Sequence, residues 1–102
     1  VIVARREAVK ANPGAVDAFL QDYAASVAWV NGNNAGAAQL ISEYGIVEAA
    51  PVAEKALPYC NIVCITGSEM KEKLSGYLQV LSDADAASTG GALPGDDFYY
   101  GA

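Results

Sequence analysis

The most regular apolar pattern in the chain lies between residues 16 and 30. Val16, Phe19, Leu20, Tyr23, Val27 and Val30 recur at i, i+3, i+4, i+7, i+11 and i+14, a spacing that places them on one face of an α-helix. Polar Asp17, Gln21, Asp22 and Ser26 fall largely elsewhere. Asn12-Pro13 supplies a start, because Asn caps a helix and proline suits the first helical position, where its missing N–H has no partner anyway. Asn31-Gly32-Asn33-Asn34 supplies a stop, so a helix of about 18 residues is expected. Trp29 lies beside the stripe and reads as a packing residue.

A second helix is expected over residues 34–44, where Ala37, Leu40, Ile41 and Tyr44 keep helical spacing and Gly45 ends it in the left-handed region. The short connection suggests antiparallel neighbours. Residues 47–57 read as a third helix, with Pro51 tolerable in its first turn and Pro58 closing it by pushing the residue before it out of the α region. Residues 59–65, with β-branched Ile62, Val63 and Ile65, read as a short strand or as an irregular buried segment. Thr66-Gly67-Ser68-Glu69 forms a capping-box pattern ahead of Met70, Leu74, Tyr77, Leu78 and Leu81 at helical spacing. Gly76 weakens this fourth helix by about 1 kcal/mol relative to Ala and leaves room for another element to approach. Residues 1–4 are β-prone, and residues 5–11 are a polar stretch. Beyond Leu81 the chain turns small and polar, and residues 92–102 read as an extended tail.

Composition narrows the function classes. A chain of 102 residues with 53% hydrophobic and 18% charged content is globular and holds one small domain or a piece of one. Its 20 alanines bury little area, so the core is lean and the fold marginal. Six Lys and Arg against twelve Asp and Glu give −6, and no base occurs from residue 11 to 54, which argues against tracking of nucleic-acid phosphates. Without histidine, His-based triads, His metal ligands and imidazole acid–base catalysis are absent. No apolar run approaches the roughly 20 residues of a membrane span, and no charged segment followed by an apolar one opens the chain. It begins at Val1 in a β-prone run, which reads as a start inside a longer protein.

Candidate chemistry is sparse. Cys60 and Cys64 are spaced Cys-x-x-x-Cys with nothing to complete a zinc shell. In an extended segment their Cα atoms would lie about 13 Å apart, beyond the ~7 Å reach of a disulfide, so two reduced, buried thiols are expected. Asp96-Asp97 would point to opposite faces of an extended segment, which favours a solvated loop over an acid pair or metal site. Glu69-Met70-Lys71-Glu72-Lys73 reads as a solvated helix face with Glu69 supporting Lys73 at i,i+4. Tyr99-Tyr100 reads as packing on a neighbouring lobe rather than stacking on a ligand. No repeat, phosphate loop or nucleotide fingerprint occurs. Neither a catalytic nor a metal residue is assigned, and no cofactor is expected.

Taken together, the residues resemble a known family. Asn12-Pro13 opens a helix ending in Ala28-Trp29-Val30-Asn31, followed by Glu54-Lys55-Ala56-Leu57-Pro58 and Cys60-Asn61-Ile62-Val63. Gly67-Ser68-Glu69-Met70-Lys71-Glu72-Lys73-Leu74-Ser75-Gly76-Tyr77-Leu78 and Asp96-Asp97-Phe98-Tyr99-Tyr100 complete the pattern. Over nearly its whole length the chain is similar to the C-terminal third of bacterial ABC-transporter substrate-binding proteins of the nitrate/sulfonate/taurine group, related to thiamine-pyrimidine-precursor proteins. The resemblance implies a mainly α fragment of about four helices and one or two short strands, cut from a two-lobed α/β fold of periplasmic-binding-protein type II. It implies an extracytoplasmic parent, periplasmic or a cell-surface lipoprotein, that closes on a small-molecule solute by hinge motion and delivers it to a membrane permease. The N-terminal lobe and most ligand-lining residues would lie outside this chain, so no ligand residue is assigned. Helices that cover a missing sheet should expose apolar stripes, which makes a homo-oligomer of this piece expected. A free-standing helical interaction module with acidic faces for a basic partner is the alternative.

Overall fold

A computed structural model describes all residues from Val1 to Ala102. The chain is mainly helical and contains no strand. Five α-helices follow one another: α1 (Arg6–Ala11), α2 (Pro13–Gly32), α3 (Asn34–Glu43), α4 (Ala50–Ala56) and α5 (Gly67–Ala84). Single 3-10 turns occupy Leu57–Tyr59, Ala86–Thr89 and Asp96–Phe98. The chain divides into two compact units, Val1–Cys64 and Ile65–Ala102, each described by itself below.

In the first unit, α2 starts as its sequence requires. The Asn12 side chain accepts a hydrogen bond from the Ala15 amide at 3.1 Å, and Pro13 occupies the first helical position. Asn33 then closes the helix, its side-chain amide donating to the Trp29 carbonyl at 2.9 Å. Helix α3 ends at Gly45, whose φ of +70° is the left-handed stop expected there. Pro51 falls in the first turn of α4. Helix α1 is an addition, because the polar stretch over residues 5–11 carries no apolar periodicity. Glu7 in its first turn and Lys10 in its last suit the helix dipole.

Several expectations are corrected here. The one or two short strands do not form: residues 1–5 and 60–66 carry no regular structure. A lone extended segment has no ladder partner for its amides. Leu57 does not leave the α region before Pro58 but keeps φ −51° and ψ −44°, so α4 tightens into the 3-10 turn at Leu57–Tyr59. Cys60 is exposed and Cys64 half-buried; both thiols are free. The predicted α2 stripe is a continuous face, but none of its residues is buried.

The core of the first unit is small. Ala37, Ala38, Ala53 and Leu57 are buried, with half-buried Val30, Ile41, Val47 and Ile62 against them. It sits between α3, α4 and the 3-10 turn that follows α4. Asn31 ties α2 to the irregular segment by donating to the Ile62 carbonyl at 2.9 Å, and Ser42 donates to the Glu48 carbonyl at 2.8 Å. Much apolar area stays outside: Phe19, Trp29, Tyr44, Ile46 and Val52 are all exposed.

In the second unit, α5 spans Gly67–Ala84 and Asp85 begins the next turn, its carboxylate accepting from the Ala87 amide at 3.0 Å. Ser88 donates back to the Leu81 and Asp85 carbonyls. The capping box does not assemble: Thr66 makes no side-chain cap bond, and Glu69 instead faces Lys73 at 3.7 Å. That ion pair is the expected i,i+4 support. Gly76 receives no close neighbour; nothing stands within 4 Å of where a Cβ would be.

Candidate functional site

Two shallow depressions, one in each unit, differ in chemistry. The one in the second unit, about 320 Å³, uses Lys71, Ser75 and Gln79 on one face of α5, one turn apart in succession. Asp96, Tyr99 and Leu93 from the terminal segment form the opposite side. Lys71 reaches Asp96 at 2.9 Å and sits 6.0 Å above the Tyr99 ring, a cation–π contact at the edge of the effective range. Phe98 meets Tyr99 edge-on, with centroids 5.2 Å apart and planes at 88°. Tyr99, 7% exposed, is the one buried large side chain of this unit.

These contacts correct the reading of the terminal residues. Tyr99 packs within its own unit, edge-on to Phe98. Asp96 belongs to the 3-10 turn Asp96–Phe98 and pairs with Lys71, while its side chain remains in water. The extended tail expected over residues 92–102 thus holds a helical turn and a buried ring. Asp96 and Asp97 do not gather with other carboxylates, and no group of three or more Cys, Asp or Glu residues could hold a metal.

The polar groups of this depression are engaged locally. Gln79 donates to Asp83 at 2.8 Å, Ser75 donates to the Glu72 carbonyl at 3.1 Å, and the Lys71 charge is balanced by Asp96. Ser75 has no base beside it, so the arrangement offers no activated nucleophile. Its chemistry is that of a cation held between a carboxylate and an aromatic face.

The depression in the first unit, about 260 Å³, is almost wholly apolar. Trp29 and Val30 of α2, Leu40 and Ile41 of α3, and Tyr44 and Ile46 beyond α3 line it. Trp29 packs with one side of its indole over Gly36, where an added Cβ would make ordinary contact at 3.4 Å. The ring nevertheless remains 45% exposed, because nothing covers its other side. Sequence periodicity placed Leu40, Ile41 and Tyr44 on one face of α3 but did not join that face to Trp29. The Lys71–Asp96–Tyr99 cluster was also missed, since its members stand 25 and 28 residues apart; the row Lys71, Ser75, Gln79 was its only local trace.

No helix is long and apolar enough to cross a membrane. Compared with protein-family models, curated proteins and solved structures, the chain matches none.

Proposed function

We propose that the chain is the C-terminal part of a solute-binding component of an ABC uptake transporter. In this reading the longer parent is a two-lobed α/β protein of periplasmic-binding-protein type II that works outside the membrane. It captures a small molecule of the sulfonate, nitrate, taurine or pyrimidine class and hands it to the permease. The sequence resemblance over nearly the whole chain supports this assignment. The observation that carries it furthest is the mismatch between core and surface. Four buried residues, three of them alanines, underlie the first unit, and Phe19, Trp29, Leu40, Tyr44, Ile46 and Val52 stay exposed there. Helices with such faces suit a role as the outer cover of a lobe supplied elsewhere in the same protein.

The two open depressions fit the same role, because a solute site encloses most of its ligand and neither depression does so. The test is a thermal-shift screen of the longer translation product against sulfonates, taurine, nitrate, bicarbonate and pyrimidines. One solute at 100 times its Kd is expected to stabilise the protein by about 2.7 kcal/mol. No shift with any of them, together with saturable binding of a basic protein, would replace this reading with the free-standing interaction module.

A further inference from the structure

In the second unit, the segment after the Ala86–Thr89 turn lies against α5 through its side chains. Asp96 and Tyr99 meet Lys71, and the Gly101 carbonyl stands 3.5 Å from where a Cβ on Gly67 would be, so the segment reaches back to the first residue of the helix. Its backbone bonds are local: Phe98 donates to the Gly95 carbonyl at 3.1 Å and Tyr99 to the Asp96 carbonyl at 3.3 Å, and none joins it to α5. The buried Tyr99 ring is its anchor. The Lys71–Asp96 pair adds little, because the Asp96 side chain is 92% exposed, and it is the part of the contact that salt weakens.

Helix α5 is delimited without this segment. Ser88 ties its end by donating to the Leu81 carbonyl at 3.0 Å, and the Gly90 and Gly91 amides close the following turn on the Ala87 and Ala86 carbonyls at 3.1 and 2.8 Å. Residues 92–95 then form neither helix nor strand. Gly91 at φ +88° and Gly101 at φ +70° bracket the segment, and glycine accepts the backbone change that a hinge requires. We propose that residues 92–101 are a hinged strap, plugged by Tyr99, that swings off α5 while the helix stays folded and that shields Lys71 when closed. In the closed state the Lys71 side chain is 35% exposed, against 60% for Lys73 on the same helix; in the open state both stand in water. A segment joined to its helix by side chains alone opens at lower cost than the helix itself. The strap lies wholly within the second unit and does not rest on the solute-binding reading.

Acylation of lysine amines in the 102-residue chain, read residue by residue by mass spectrometry, tests it together with amide hydrogen exchange. Lys73 is the internal reference. At low salt Lys71 is expected to react about three-fold more slowly than Lys73, and 1 M NaCl should narrow the gap. Tyr99→Ala should bring the two rates together while exchange within α5 stays unchanged. Tyr99→Phe should keep Lys71 protected, and Asp96→Asn should leave part of the protection but remove its response to salt. In the wild type the Phe98 and Tyr99 amides should exchange about ten-fold faster than those in the middle of α5. Lys71 as protected in Tyr99→Ala as in the wild type overturns the proposal. So does faster exchange throughout α5 in that variant, which would make the segment a support of the helix, and so does wild-type exchange at Phe98 and Tyr99 as slow as in α5.

Discussion

Replacing Leu57 by alanine tests whether the first unit rests on as small a core as its geometry implies. Leu57 is 7% exposed, and its buried companions are the alanines Ala37, Ala38 and Ala53. Truncation removes about 70 Å² of buried apolar area, worth about 1.8 kcal/mol at 25 cal/mol per Å². The residual cavity adds to this, for a total of about 2–3 kcal/mol. A chain of this length has roughly 5–15 kcal/mol of stability, and so lean a core puts it near the bottom of that range. The loss is therefore about half of what holds the unit together. Urea unfolding at 1 µM, followed by Trp29 fluorescence and circular dichroism, should show a midpoint lowered by about 2 M for a slope near 1 kcal/mol per M. Val52→Ala serves as the reference, because Val52 is 58% exposed on α4 and its loss should move the midpoint by less than about 0.5 M. Equal shifts for the two variants would refute the placement of the core at Leu57.

Two further substitutions probe how the helices are delimited. Asn12→Ala removes the cap on the Ala15 amide and should cost about 1 kcal/mol, measured by the same urea titration; Asn12→Asp should retain most of the stability, and a neutral alanine would mean that Pro13 alone sets the start of α2. Gly45→Ala forces a side chain into φ +70° where space is open on all sides, so its cost of about 1–2 kcal/mol is purely that of the backbone; Gly45→Asn should recover part of it, and an alanine variant as stable as the wild type would mean that the chain leaves α3 by another route.

Local signals carried as far into the fold as local physics reaches. Helices α2, α3 and α5 were legible because each has a start or stop signal and apolar residues at helical spacing: Asn12-Pro13 for α2, Gly45 for α3, and Met70, Leu74, Leu78 and Leu81 for α5. Helix α1 escaped notice because six residues hold too few apolar positions to show a period, leaving only the placement of Glu7 and Lys10 as a sign. The segment around Ile62 and Val63 has the composition of a strand, yet strand formation depends on a partner elsewhere in the protein, which composition does not report. Thr66 shows the converse case. Its pattern matches a capping box, but the Glu69 carboxylate is turned toward Lys73, so the reciprocal bond is not made. The candidate sites were the least legible. Lys71 meets Tyr99 and Asp96, and Trp29 meets the α3 face, only after distant segments have come together.

The most direct test of the central claim, that the core of the first unit lies at α3 and α4 and leaves α2 largely uncovered, is amide hydrogen exchange of the 102-residue chain at 1 µM. Helix α2 has twenty residues and no buried side chain, whereas α3 contributes Ala37 and Ala38 to the core. Protection follows local burial and packing, so at 1 µM the amides in the middle of α2 should exchange at least ten-fold faster than those of α3. Protection of α2 equal to that of α3 would contradict the claim.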